Sequence, residues 1–175
     1  MKKIISAILS LIFLFSINVN AEEKLTIEKQ LVGIVGAISG TVKTETRELK
    51  AGDQIYLNET IYAGPGSGTQ ILLLDQSTFT VGEDSEVVMD TFVFDPETND
   101  GKIVASVKQG SLKVISGLIS KKNPDSLTVE VPEGTLGSRG TEFQTIVSKG
   151  KTDTLLIGPG KNNTLGMRPG AVLVG

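Results

Sequence analysis

The sequence predicts an all-β domain of short strands, wound as a twisted roll or β-solenoid, behind an N-terminal export signal. Three observations carry that prediction. Helical periodicity is hard to find after residue 22, whereas short runs of alternating apolar and polar residues recur along the chain. Twenty glycines, helped by Asn, Asp and Pro, punctuate those runs where tight turns are needed. There is no cysteine, so no disulfide can staple the fold and its stability must come from β pairing and aliphatic burial.

The first 21 residues differ in kind from the rest. Lys2 and Lys3 give a positive start, an apolar run extends from Ile4 to Ile17, and Asn18-Val19-Asn20-Ala21 supplies a small residue at the cut. That order describes a secretory signal peptide cleaved after Ala21. The apolar run falls short of the ~20 residues a helix needs to cross a bilayer, so cleavage is favoured over a retained anchor. The mature chain is then expected in the periplasm or outside the cell, not as an integral membrane protein. It divides into a β domain over 22–157 and a tail over 158–175 rich in Gly, Pro and Asn.

Within the domain, strand character is clear at Thr41–Thr44, Gln54–Leu57, Thr69–Leu74, Glu86–Met89, Thr91–Phe94, Ile103–Val107 and Ser111–Ile115. It continues at Leu127–Val131, Glu142–Val147 and Thr154–Ile157, with Ala171–Val174 as a candidate last strand. A turn residue often leads through polar residues into an inward position, as in Ser39-Gly40-Thr41-Val42 and Gly68-Thr69-Gln70-Ile71. The irregular spacing suits a roll in which rungs share one aliphatic core, with a β-sandwich as the alternative. Asp95 to Lys102 reads as an exposed loop. Its Asp95, Glu97 and Asn99 alternate as in a calcium loop, but Asp100 stands where a Gly should bend the chain and Ser106 where the bidentate Glu belongs.

Composition narrows function. No His, Cys or Trp is present, which removes Ser-His-Asp and Cys-His nucleophiles, His-ligated metals and thiol chemistry. No cofactor is expected. Removing Lys2 and Lys3 leaves 15 basic against 20 acidic residues, a net charge of −5 that argues against nucleic acid as partner. Paired-carboxylate hydrolysis of a glycan retains candidates in Asp53, Asp75, Glu83, Asp84, Glu86 and Asp90. Glu83, Asp84 and Glu86 cluster near a turn, however, where solvated surface is the usual explanation, and no aromatic platform for a sugar is visible. An enzyme is therefore not expected.

Two stretches resemble the FecR domain family. The first spans Gly33 to Met89 and contains Gly33-Ile34-Val35-Gly36, Gly40-Thr41-Val42, Leu49-Lys50-Ala51-Gly52-Asp53-Gln54-Ile55, Glu59-Thr60-Ile61-Tyr62-Ala63-Gly64 and Ile71-Leu72-Leu73-Leu74-Asp75. The second contains Gly110-Ser111-Leu112-Lys113-Val114, Leu127 to Thr135 and, most specifically, Arg139-Gly140-Thr141-Glu142-Phe143. Together they span about residues 33–147. The resemblance implies a β fold and a protein-interaction habit, since FecR-like domains are known in transmembrane regulators that relay a transport signal to a sigma factor. The membrane helix and cytoplasmic segment of those regulators are not expected here, where an export signal stands first.

The candidate interaction residues are Arg139, Gly140, Thr141, Asp75, Gly52 and Asp53. Gly52 suits a left-handed turn position, and Gly140 suits a close approach of two backbones. Arg139 reads either as a partner contact or as a tie that holds its turn through carbonyls or a carboxylate. Asp75-Gln76 departs from the Asp-Gly that favours a tight primed hairpin. The leading functional expectation is a non-catalytic envelope module for scaffolding or signalling that binds an envelope protein, for instance by β-augmentation at either end of the roll. A surface-glycan-binding module is second, and a carboxylate hydrolase is the least favoured.

Overall fold

The computed structural model describes residues 29–158 and 170–175; the expected signal peptide over 1–21 and residues 159–169 of the tail lie outside the described residues. Among the described residues thirteen strands and one short helix follow in order: β1 (Leu31–Ser39), β2 (Val42–Lys43), β3 (Gln54–Tyr56), β4 (Thr60–Ala63), β5 (Gly68–Leu73), β6 (Thr78–Val81), β7 (Ser85–Phe94) and β8 (Gly101–Ile115). Then come α1 (Leu118–Lys122), β9 (Leu127–Val131), β10 (Gly134–Arg139), β11 (Glu142–Ser148), β12 (Lys151–Gly158) and β13 (Ala171–Val174).

All strands belong to one curled sheet with two arms that share β8. One arm runs β3-β1-β5-β6-β8-β11-β12, and the other runs β2-β4-β7-β8-β9-β10-β13. Every pairing is antiparallel except β8 with β9. The first part of β8 pairs with β7 and β9, and the part from Gly110 onward pairs with β11 and then β6. The change of arm occurs at Gly110, whose φ of 83° lies in the left-handed region that a residue with a Cβ rarely adopts. Ile103–Val107 and Ser111–Ile115, expected as separate strands, are therefore one bent strand. Glu86–Met89 and Thr91–Phe94 likewise merge into β7, where Asp90 sits at a register shift against β8. The all-β expectation holds, as one sheet bent on itself.

The core lies between the arms. Strands β5, β6, β9 and β10 alternate buried with more exposed positions, so one face of each points inward. One arm contributes Val87, Met89, Ile103, Leu127 and Leu136; the other contributes Ile71, Phe79, Leu112, Val114 and Phe143. Ile119 of α1 is fully buried and joins the same core. Each large side chain so buried is worth about 1.5–3 kcal/mol.

Candidate interaction site

Local chemistry first fixes the β5–β6 hairpin. Leu73 N–H donates to Ser77 O at 2.9 Å and Gln76 N–H donates to Leu73 O at 3.0 Å. The loop is thus three residues long, with Gln76 at φ 67°, rather than a two-residue primed turn. Asp75 is fully buried beneath it. Its carboxylate accepts the Ser77 N–H at 3.0 Å and the Ser77 hydroxyl at 2.8 Å. Its carbonyl accepts the N–H of Leu118 at 2.8 Å, and Ser77 Oγ accepts the N–H of Gly117 at 2.9 Å. The hairpin is thereby locked to the junction of β8 and α1.

The next residue back continues the network. Ser116 Oγ donates to Thr141 O at 2.8 Å, lies 3.2 Å from Ser138 Oγ, and accepts the Thr141 N–H at 3.3 Å. The Thr141 hydroxyl reaches Gly158 O at the end of β12. Asp75 and Thr141 therefore belong to one buried polar network, linked through Ser116 and Gly117. Ser120 of α1 is buried nearby, and its Oγ lacks a hydrogen-bond partner among the described residues. Ser77, Ser116 and Ser138 were not singled out by sequence, because each takes its role from a partner 22 or more positions away.

Arg139 stands at the rim of this network. It is exposed at the end of β10 and donates from Nε to Asp125 Oδ1 at 2.7 Å, which makes it a tie onto a carboxylate in the loop after α1. Gly140 differs from the expected close approach. A Cβ there would meet only Ser120 O, at an ordinary 3.8 Å, and the glycine is required instead by its φ of 59°. The close approach falls on Gly117, where a Cβ would collide with Asp75 O and Ser77 N. Gly52 and Asp53 lie apart from the network. They form the turn before β3, where Gly52 has φ 90° and the Asp53 carboxylate accepts the Lys50 N–H at 2.9 Å. Gly52 N–H donates to Val35 O at 2.7 Å and Asp53 O accepts the Val35 N–H at 2.8 Å, tying the turn to β1.

Two of the remaining carboxylate candidates have structural partners. Glu83 accepts the N–H of Gly66 at 2.9 Å, and Asp90 accepts the Ser106 hydroxyl at 2.6 Å. In the β7–β8 loop Asp95 accepts the Thr98 hydroxyl and the Glu97 N–H, and Lys122 donates to Asp100 and to Thr98 O, each at 2.7 Å. The loop is exposed and cross-tied to α1 by that lysine.

The two ends of the sheet are built differently. At one end β2 and β3 are only two and three residues long. The surrounding side chains are charged and paired: Arg47 bonds Glu59 at 3.1 Å, with Lys29 3.8 Å from the same carboxylate. Short, charged edges resist adding a further strand. At the other end β12 offers eight residues that, among the described residues, pair only with β11. Its register shifts between Glu142↔Gly158 and Phe143↔Leu156, leaving Ile157 as an extra residue. Alternation breaks there, and Leu155, Leu156 and Ile157 are 63%, 38% and 43% exposed in succession. Beside β12, a slot of about 260 Å³ opens toward β13, lined by Val131, Leu136, Val174, Thr152 and Thr154 among others. The backbone edge and apolar side chains of β12 have the chemistry that takes up a strand.

Among the described residues no helix is long and apolar enough to cross a membrane. No curated protein and no solved structure matches the chain. The family model for the FecR protein matches residues 59–157, from just before β4 almost to the end of β12, and so includes the Asp75–Thr141 network and the exposed edge. That match starts and ends later in the chain than the motifs between 33 and 147, yet it covers more than half of all 175 residues. The chain therefore belongs to the FecR protein family.

Proposed function

We propose that this chain is an exported, non-catalytic FecR module of the cell envelope that binds another polypeptide by strand addition along β12. The observation that carries the reading is the contrast between the two sheet ends. Exposed edges present unpaired N–H and C=O groups, and proteins ordinarily blunt them with charge, brevity or cover. Here one end is blunted, while β12 displays Leu155-Leu156-Ile157. An incoming strand would satisfy the free backbone groups and bury those three side chains. A non-catalytic role is supported by the absence of His and Cys and by the structural partners of Asp75, Glu83 and Asp90. Export is supported by the basic-apolar-small order of residues 1–21.

The test is affinity capture from crosslinked envelope extract with the mature chain, beside its Leu155→Lys variant. A partner held reproducibly by the wild type and lost by the variant, with the β circular-dichroism spectrum intact, supports strand addition. Equal capture by both would overturn it. Fractionation with N-terminal sequencing tests export, which a mature chain still beginning at Met1 in the cytoplasm would overturn.

A further inference from the structure

Independently of strand addition, we infer that a cleft at the bend of β8 binds a small zwitterion of the short-peptide kind. Its carboxylate would meet Lys108 and Lys149, and its ammonium would meet Asp84 and Glu83. The cleft holds about 640 Å³ and lies where the β6–β7, β9–β10 and β11–β12 turns converge on the bend at Gly110. That volume falls within the ~300–1,000 Å³ of ordinary small-molecule sites.

The charges of the lining select the ligand class. The β6–β7 turn contributes Glu83 and Asp84, β8 contributes Lys108, and the β11–β12 turn contributes Lys149. Among the described residues no ion pair joins these lysines to these carboxylates. A simple anion entering the cleft would be opposed by two carboxylates, and a simple cation by two ammoniums. A ligand with one charge of each sign pairs with both sets. Pro132 and the exposed Ile146 add apolar surface for small side chains.

The frame around the cleft is already tied together. Gly82 N–H donates to Ser111 O at 2.9 Å, and Ser111 N–H donates to Ser85 Oγ at 2.8 Å. Gly110 and Ser111 pair with Val147 and Ile146 of β11. A ligand therefore finds its walls in place and need not order them. Lys149 and Gly150 form a two-residue hairpin loop with φ of 45° and 76°. Such loops favour Asn, Asp or Gly at the first position, so the lysine is held there against its backbone preference. Asp84, with φ of 49°, is also left-handed. Residues 159–169 join the described chain at Gly158 and Gly170, both beside Thr141, roughly 20 Å along β11 from this cleft.

The test is a titration of the ¹⁵N-labelled mature protein with trialanine to about 10 mM, read by backbone amide shifts. Saturable shifts centred on Asp84, Gly110, Ser111 and Lys149 are expected. Asp84→Asn is expected to weaken binding about tenfold. Lys149→Asn is expected to weaken it equally while the melting temperature holds or rises, because asparagine accepts the left-handed position more readily. N-acetyl-trialanine amide, which keeps the shape and loses both charges, is expected not to bind. Absence of saturable shifts in the cleft, or binding indifferent to both variants, overturns the site. Equal binding of the doubly blocked peptide, or of acetate alone, overturns the zwitterion as its ligand.

Discussion

The hydroxyl of Ser77 accepts the backbone N–H of Gly117 at 2.9 Å across forty positions of sequence, while donating to the buried Asp75 carboxylate at 2.8 Å. One small side chain thus joins the β5–β6 hairpin to the end of β8.

Ser77→Ala is expected to destabilise the mature domain by about 2–3 kcal/mol, because it leaves a buried N–H and a buried carboxylate oxygen each short of a partner. Asp75→Ala removes the other side of the same contact. In a double-mutant cycle the two losses are expected to be clearly less than additive, since either change breaks the same lock. Urea unfolding measures both, and strict additivity would show that the two residues act separately.

Two glycines of the network should respond differently to alanine. At Gly117 the added Cβ meets backbone atoms of Asp75 and Ser77, which cannot swing aside, so a loss above about 3 kcal/mol or a failure to fold is expected. At Gly140 the space is open and only the left-handed backbone opposes a side chain, worth about 1–2 kcal/mol. Similar melting temperatures for the two variants would contradict this ranking.

Gln76 holds a left-handed conformation that glycine takes without strain. Its side chain is exposed. Gln76→Gly is therefore expected to stabilise the hairpin by about 0.5–1 kcal/mol, after the greater unfolded-chain entropy of glycine is set against the relieved strain. A rise in the urea midpoint at unchanged m-value checks it.

Lys122 ties α1 to the β7–β8 loop and leaves an electrostatic signature. Its hydrogen bond and charge hold the Asp100 carboxyl below the ordinary aspartate value; Asp95 is lowered chiefly by the Thr98 hydroxyl and the Glu97 N–H. A carboxyl depressed on folding contributes stability above its unfolded pKa and loses it as pH falls through the folded value, so this contribution begins to be lost only as pH falls below the ordinary aspartate value. Lys122→Met is expected to raise the Asp100 pKa toward its ordinary value while moving Asp95 less. A carboxyl-carbon NMR titration resolves the two, and equal movement would contradict the assignment.

Much of the sheet is legible in sequence because inward positions alternate, as Ile71, Leu73, Phe79 and Val81 do on β5 and β6. Strands β1, β4, β6 and β10 fall outside the expected runs, and β1 shows why. Gly33 reads as punctuation, but it stands inside the strand because a Cβ would lie 2.5 Å from Leu72 O. Gly110 reads as a gap between strands although it bends a single one. The Ser116–Thr141 contact joins residues 25 apart, beyond the reach of any local pattern. Leu155-Leu156-Ile157 reads in sequence only as part of the Thr154–Ile157 strand, and its successive exposure follows from the register shift against β11.

Arg139 carries the most recognisable part of the Arg-Gly-Thr motif, yet its structural contribution is expected to be small. Its pair with Asp125 is exposed on both sides, at 49% and 70% of the side chains, and such pairs are worth at most about 0.5–1 kcal/mol. Arg139→Ala should therefore shift the melting temperature by no more than about 2–4 °C. Binding provides the sharper test. Arg139 lies opposite Ala171 of β13, on the arm that does not contain β12. If partners dock along β12, Arg139→Ala leaves capture intact while Leu155→Lys removes it. The reverse result would move the interaction surface to the turn between β10 and β11 and make the guanidinium a partner contact.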